Sequence, residues 1–311
     1  MHALSLFLKA SLSISILLFL FVQLDWAQLE GMLANTDLFM LCAAILVFLI
    51  GQLFSAVRYQ ILVHAAGGKV SLPFSLRVHF IGLFFNQIML SGLGGDAIKG
   101  YYMSGKISLA QVVKSVVADR LYGLFILCAT VLVLAYSYVS LLQERSLYLP
   151  VIGIGVLGVF GFPAIYLVFI FLQRRGPKLY AWAARFLRLN DIHGFVEYFL
   201  RTFTTHHCLP LMVLSLIVHF AGILTFFLIA RGLGVDASVF GFTLTVPLVF
   251  LFALAPISIA GWGVREVGAV WLLGLVGVAA EKAVLISVTF GFLLIIVSLP
   301  GLLLFILSRR A

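Results

Sequence analysis

Charged residues are scarce in this chain of 311 residues: they make up only 10% of it, whereas 63% of the residues are hydrophobic. Soluble domains carry about 25% charged residues, because these keep the surface hydrated. The shortage of charge therefore excludes a soluble globular domain and predicts a polytopic integral membrane protein. We expect an all-α fold, since helices satisfy every backbone hydrogen bond within one segment.

Cysteine is also rare, and several catalytic motifs are missing. The three cysteines, Cys42, Cys128 and Cys208, lie in or beside apolar runs without CxxC spacing, so neither a disulfide framework nor a metal site is predicted. The sequence contains no GxSxG elbow, no HExxH helix and no P-loop. We therefore expect no catalytic residues, no metal and no cofactor, and any transport has to use an ion gradient or run downhill.

Long apolar runs make up most of the sequence. They predict about 6 to 8 transmembrane helices, since roughly 18 to 20 residues are needed to cross the hydrocarbon core of a membrane. Three shorter apolar segments are ambiguous, and they are Ser75–Leu90, Val239–Ala255 and Val267–Ala280. The longer runs are Leu4–Leu24, Leu38–Val57, Ala118–Tyr138, Leu149–Leu172, Cys208–Ala230 and Ala283–Leu307.

The net charge of +9 is distributed asymmetrically along the chain. Lys and Arg concentrate in residues 58–120, in residues 174–201 and at the end, whereas the loops after the first and third long runs are mainly acidic. This positive-inside pattern predicts a multi-pass protein of the cell membrane with both termini in the cytoplasm. It also argues against nucleic acid as the partner and favours anionic lipids of the inner leaflet.

Two glycine-rich breaks interrupt the apolar sequence, one at Leu90–Lys99 and the other at Pro256–Arg265. They align at an offset of 166 positions, which places Lys99 on Arg265 and Gly95 on Gly261. Unwound backbone at membrane depth is tolerated where it is buried in protein or lines a polar cavity. Matching breaks in two halves are typical of transporters with inverted repeats. We predict two re-entrant hairpins, one from each face.

The offset also predicts the organisation of the chain as a single transmembrane domain. Repeat 1 covers about 38–172, a basic cytoplasmic loop about 173–206, and repeat 2 about 207–307. The loop alternates basic and aromatic residues, which favours an amphipathic helix with its aromatic side on the inner leaflet.

The breaks are predicted to bind an anionic head group. Glycine backbone at a hairpin tip exposes N–H groups that suit a phosphate. Lys99, Arg120 and Arg265 are expected to converge on that phosphate, and Asp96, Asp119 and Glu266 to hold these cations or to take up protons. Structural ion pairs at helix ends are the alternative. The predicted substrate-binding residues are Asn86, Gly94, Gly95, Asp96, Lys99, Asp119, Arg120, Ser258, Gly261, Gly263, Arg265 and Glu266.

Two histidines, His79 and His219, lie within apolar segments. Buried ionisable side chains of this kind either relay protons or make a hydrogen bond to a neighbouring helix. The second reading is favoured here.

The motifs resemble those of a known family, the transmembrane region of lysylphosphatidylglycerol synthase/flippase proteins. The similarity covers nearly the whole chain and rests on Asn86–Met89 with Gly94–Asp96, on Asp119–Arg120, and on Leu254–Ser258 with Gly261–Glu266. In two-domain relatives the membrane part is regarded as moving lipid, while a separate soluble domain transfers the aminoacyl group. The resemblance therefore implies a flippase for a phosphate-bearing lipid and no enzyme. An integral-membrane transferase acting on a lipid phosphate is the alternative.

Overall fold

The computed structural model describes residues 22, 35–89, 94–144, 146–175, 192–236, 238–254, 258 and 260–308. Within these residues the secondary structure is helical and contains no strand, which confirms the predicted all-α membrane class. Eleven helices are described, and they are α1 (Leu38–Ala65), α2 (Leu72–Ile88), α3 (Gly94–Ser104), α4 (Leu109–Ser137), α5 (Val139–Glu144), α6 (Tyr148–Arg175), α7 (Ile192–Thr204), α8 (Cys208–Gly232), α9 (Val239–Ala253), α10 (Val264–Gly274) and α11 (Ala280–Ser308).

Helix length separates these elements into two classes. Four described helices, α1, α4, α8 and α11, have 25 to 29 residues and are apolar enough to cross a membrane. The helices α2, α3, α9 and α10 are shorter than the hydrocarbon core, because their 11 to 17 residues extend only about 16 to 26 Å at 1.5 Å per residue. The predicted span Leu149–Leu172 lies on α6, and the predicted span Leu4–Leu24 lies outside the described residues except for Val22.

The four short helices form two helical hairpins. In hairpin 1, α3 folds back on α2, so that Gly82 packs against Lys99 and Gly95 packs against Asn86. In hairpin 2, α10 folds back on α9, so that Phe252 packs against Gly268. The described residues of the two predicted breaks therefore lie where the second arm of each hairpin begins, whereas residues 90–93, 255–257 and 259 are outside the described residues. The re-entry of the two hairpins from opposite membrane faces stays a prediction.

Two of the long helices, α1 and α8, pack against each other and run antiparallel. Helix α1 packs along α8 with Asp37 donating its N–H to the Gly232 carbonyl at 2.8 Å at one end, and with Gly51 against Ala221 near the middle. Hairpin 1 packs on α11 and hairpin 2 on α4. Helices α1 and α8 therefore run in opposite directions, which is what inverted repeats require of this pair, and the division of the chain into two repeats stays a prediction.

Two helix boundaries differ from the sequence-based prediction. Helix α1 continues to Ala65 instead of ending at Val57, because the charge of Arg58 is paired inside the protein and does not need a loop. Helix α4 begins at Leu109 instead of Ala118, because Ser108 caps it and Gln111 returns the hydrogen bond in a capping box. Arg58 is therefore not a cytoplasmic loop residue.

The basic segment also differs from the prediction where the structure describes it. Helix α7 buries Tyr198 and Phe199 against α1 and α4, and the Tyr198 hydroxyl donates to the Leu62 carbonyl at 3.0 Å. The Thr202 hydroxyl accepts from Tyr122 at 2.9 Å. Tyr198 and Phe199 therefore pack on protein instead of lipid, and the buried Tyr198 hydroxyl has the hydrogen-bond partner that burial requires. Residues 176–191 of the segment lie outside the described residues.

A glycine in α11 fixes how closely this helix approaches hairpin 1. A Cβ at Gly301 would collide with the backbone carbonyl of Phe80, which cannot move independently of α2. We expect Gly301→Ala to lower the free energy of unfolding in detergent by about 1–3 kcal/mol, the usual cost of overpacking.

Gly153→Ala in α6 provides the matched control, because no described atom lies within 4 Å of its added methyl group. Alanine there should leave stability unchanged or raise it by up to about 1 kcal/mol, since it is the better helix former. Equal unfolding curves for the two variants would contradict the close contact at Gly301.

Candidate functional site

A polar cavity of about 300 Å³ lies between the tips of the two hairpins. Hairpin 1 contributes the polar residues of its tip, whereas hairpin 2 contributes the apolar Phe250 and Leu254. The remaining walls come from α1, α4 and α8. The lining residues are Gln52, Ser55, Arg58, His79, Leu83, Asn86, Asp96, Lys99, Asp119, Arg120, Gly123, Leu124, Leu127, His219, Phe250 and Leu254.

One wall of the cavity is a cluster of three charges from hairpin 1 and α4. Arg120 donates to the Asp96 carboxylate through Nε at 2.8 Å and Nη2 at 2.7 Å, and Lys99 Nζ lies 3.7 Å from the same carboxylate. The Arg120 side chain is 41% exposed, but the side chains of Asp96 and Lys99 are at most 10% exposed. Arg120 is therefore the member of the cluster that a ligand reaches most easily.

A second ion pair joins three long helices on the other side of the cavity. Arg58 of α1 donates to Asp119 of α4 at 2.9 Å and to the Ser215 hydroxyl of α8 at 3.0 Å. Both charged side chains are nearly buried, with 7% and 14% exposure. Burial of one charge without the other would be costly, so this pair ties α1, α4 and α8 together.

The lining of the cavity carries an excess of positive charge. Three of the described lining residues are cations, namely Arg58, Lys99 and Arg120, and two are carboxylates, Asp96 and Asp119. With neutral histidines the net charge is one positive unit. In surroundings of low dielectric constant such an excess attracts an anion strongly.

Four other polar lining residues, Gln52, His79, Asn86 and His219, make hydrogen bonds within the protein. His79 Nε2 lies 3.1 Å from Gln52 Oε1, and His219 Nε2 lies 2.8 Å from the Gly123 carbonyl oxygen. Both histidines thus contact a neighbouring helix, as favoured from the sequence. Asn86 accepts a hydrogen bond from the Gly95 N–H at 2.9 Å and thereby caps the first turn of α3.

Five predicted residues from hairpin 2 do not line this cavity. Arg265 donates to Glu266 at 2.7 Å, and its Nε lies 3.2 Å from the Ser287 hydroxyl of α11. Glu266 accepts further hydrogen bonds from Ser287 at 2.9 Å and from the Gly263 N–H at 2.6 Å. Gly261 and Gly263 supply positive φ angles for this turn. The fifth residue, Ser258, is buried.

Aromatic rings separate the Arg265 cluster from the cavity. The guanidinium of Arg265 lies over the rings of Trp262 and Phe290, at 4.8 and 5.6 Å. The ring of Phe290 in turn packs on Phe250, which lines the cavity. The structure therefore does not bring Arg265 to the cavity that Lys99 and Arg120 line, because its guanidinium is paired with Glu266 behind these rings.

Sequence reasoning missed several members of the cavity, above all Arg58. The signal was present: Gln52, Ser55 and Arg58 recur every three residues along a mostly apolar helix, which places them on one face. Ser215 and His219 repeat the signal on α8 with a spacing of four. Metal binding has no candidate in the described residues, which contain no group of three His, Cys, Asp or Glu side chains.

The sequence matches a known protein family and a relative from an archaeon. The family described as the lysylphosphatidylglycerol synthase TM region matches residues 6–301. A UPF0104 membrane protein of Pyrococcus horikoshii is 28% identical over 315 aligned positions, which cover 91% of each chain. No solved structure matches the chain. Since the family match extends over nearly the whole sequence, the chain belongs to the lysylphosphatidylglycerol synthase transmembrane-region family.

Proposed function

We propose that this protein moves a phosphate-bearing lipid, of the phospholipid or polyprenyl-phosphate type, across the cytoplasmic membrane. The observation that carries the proposal is the net positive cavity between the tips of two hairpins that are too short to cross the membrane. A charge at membrane depth is expensive, so chains retain it where an ion or a polar head group has to pass.

The size of the cavity supports a head group as the ligand. Its volume of about 300 Å³ is at the lower end of the roughly 300–1,000 Å³ that is usual for ligand sites. A phosphate with a small substituent fits this space, whereas a whole lipid does not. The hydrocarbon chains therefore lie outside the cavity while the head group crosses.

Arg120 is positioned to exchange one anion for another. Two nitrogens of its guanidinium, Nε and Nη2, now contact one oxygen of the Asp96 carboxylate, Oδ2, and a phosphate offers a pair of oxygens to the same two nitrogens. Lys99 supplies a second positive charge without fixed geometry. Asp96 keeps the two cations close together when no lipid is bound, which lowers the cost of burying them.

The orientation in the membrane is part of the proposal. We infer that both termini face the cytoplasm, since Lys and Arg concentrate in the segments assigned to that side. The basic segment around α7 would then contact anionic lipids of the inner leaflet.

Transport by the wild-type protein tests the proposal. The purified protein is reconstituted in phosphatidylcholine vesicles with phosphatidic acid that carries a fluorophore on one acyl chain, and dithionite reduces the fluorophore in the outer leaflet. We expect the second leaflet to become accessible faster than in protein-free vesicles, and faster than for phosphatidylcholine bearing the same fluorophore. Equal rates with folded protein would refute lipid transport. A chemically altered lipid in the extract would instead favour the transferase alternative.

A further inference from the structure

A second hollow adjoins the charged cavity on the outer side of hairpin 1. It lies between α3 and α4, has a volume of about 380 Å³, and is lined mainly by Ala97, Gly100, Tyr101, Val113, Val116 and Val117. Apart from Asp96 at one end and Ser104, its described walls are apolar or aromatic. This groove therefore differs in chemistry from the cavity beside it.

The sequence explains why a groove forms here. Helix α3 presents the small residues Ala97 and Gly100 to α4, and a Cβ at Gly100 would already lie 3.4 Å from Val112. Helix α4 presents a stripe of valines at helical spacing, of which Val113 and Val117 are 51% and 38% exposed. Short side chains on both helices leave a furrow about 12 Å long between Leu109 and Val117, at 1.5 Å per residue.

The groove and the cavity meet at one ion pair. Asp96 lines both spaces, and its partner Arg120 follows the valine stripe on α4 by one turn. A molecule with a phosphate beside Arg120 therefore has an apolar channel starting at the same point. An anionic head group on a hydrocarbon chain is the ligand that satisfies both the positive cavity and the apolar furrow.

We propose that the groove binds one hydrocarbon chain of the lipid whose phosphate occupies the cavity. This inference rests on the proposed function and adds a chain-binding site to it. The site holds a single chain because the furrow is bounded by two helices in contact. The lipid is then selected by its chain as well as by its phosphate, and Arg120 joins the two subsites.

Filling the groove provides the first test. Val113→Trp and Val117→Trp place an indole in the furrow, and Val133→Trp is the matched control on the same helix, because Val133 is 68% exposed and lies outside both spaces. We expect both groove variants to transport the fluorescent phosphatidic acid about tenfold more slowly, because the indole takes the place of the chain and removes its van der Waals contacts with α3 and α4. The control should transport at the wild-type rate.

Photolabelling of the unaltered protein, followed by the same experiment on Arg120→Gln, provides the second test. Phosphatidic acid with a diazirine within one acyl chain is irradiated in vesicles, and the labelled peptides are identified by mass spectrometry. We expect adducts between Leu109 and Val117 that excess phosphatidic acid suppresses, whereas adducts near Val133 persist as ordinary bilayer contacts. Arg120→Gln should remove the suppressible adducts, because the chain is held through its phosphate.

The outcomes separate this inference from the function on which it rests. If lipid transport is confirmed and both groove variants keep wild-type rates, or if the adducts between Leu109 and Val117 resist competition, the chain site is refuted and the transporter remains. If the adducts compete but survive in Arg120→Gln, the chain belongs to a lipid whose head group lies elsewhere, and the inference also fails. Absence of lipid transport by wild-type protein refutes both proposals.

Discussion

Arg120→Gln is expected to slow transport of the anionic lipid at least about 30-fold, because loss of a charged hydrogen-bond partner of a buried ligand costs 2 kcal/mol or more. The variant removes the positive excess of the cavity and leaves Asp96 with Lys99 alone, at 3.7 Å. The fold should tolerate the change, since the Arg120 side chain is 41% exposed. The dithionite assay measures the rate, and thermal unfolding in detergent verifies the fold.

Two further variants test whether the effect follows the charge of the cavity and whether it is specific to Arg120. Asp96→Asn is nearly isosteric and raises the positive charge of the cavity, so it should bind the anionic lipid at least as tightly as the wild type does. Arg231→Gln removes an arginine from an exposed pair with Asp236, far from the cavity lining, and should not affect transport. If Arg120→Gln and Arg231→Gln transport equally fast, the phosphate does not bind at Arg120.

Arg265→Met is expected to lower the free energy of unfolding by about 3–5 kcal/mol, the usual cost of leaving one partner of a buried ion pair behind. Arg265 and Glu266 are 2% and 0% exposed. Without the guanidinium, the Glu266 carboxylate keeps only the Ser287 hydroxyl and the Gly263 N–H as partners. Denaturant titration in detergent measures the loss.

The double variant Arg265→Met with Glu266→Met distinguishes charge from packing. It leaves no unpaired charge, so it should recover most of the lost stability, apart from about 1 kcal/mol for the missing helix cap. Arg231→Met is the exposed counterpart and should cost less than about 1 kcal/mol. A stable Arg265→Met protein that has lost transport would mean that this pair contacts the lipid instead of holding hairpin 2 against α11.

Local signals in the sequence predicted the helical hairpins well. Gly94, Gly95, Gly261 and Gly263 break apolar runs, and the structure places these glycines where the second arm of a hairpin begins in each case. Helix ends were predicted less accurately, because Arg58 marked the end of a span in the sequence. A membrane helix can continue past a charged residue when another helix supplies a partner for the charge. The partner of Arg58 is Asp119, which is 61 residues away in the sequence.

The site was only partly predictable for the same reason. Asp96, Lys99, Asp119 and Arg120 were expected to lie together and do line one cavity. Arg265 was expected to join them by analogy with Lys99, yet it lies behind Phe290. The 166-residue offset aligns the backbone breaks but does not decide where the side chains go: Arg265 pairs with Glu266 beside Trp262, whereas Lys99 lies near Asp96 and Tyr59 and faces the cavity.

The sequence by itself determined that this is an integral membrane protein, that its fold is all-helical, where the apolar runs are broken, and to which family the chain belongs. These properties follow from composition and from spacing along one helix, where neighbours three or four residues apart share a face. The tertiary structure alone decided which charges meet, because α1, α4 and α8 bring together residues that are far apart in the chain. Ion pairing in a bilayer depends on how helices cross, and no local pattern records that geometry.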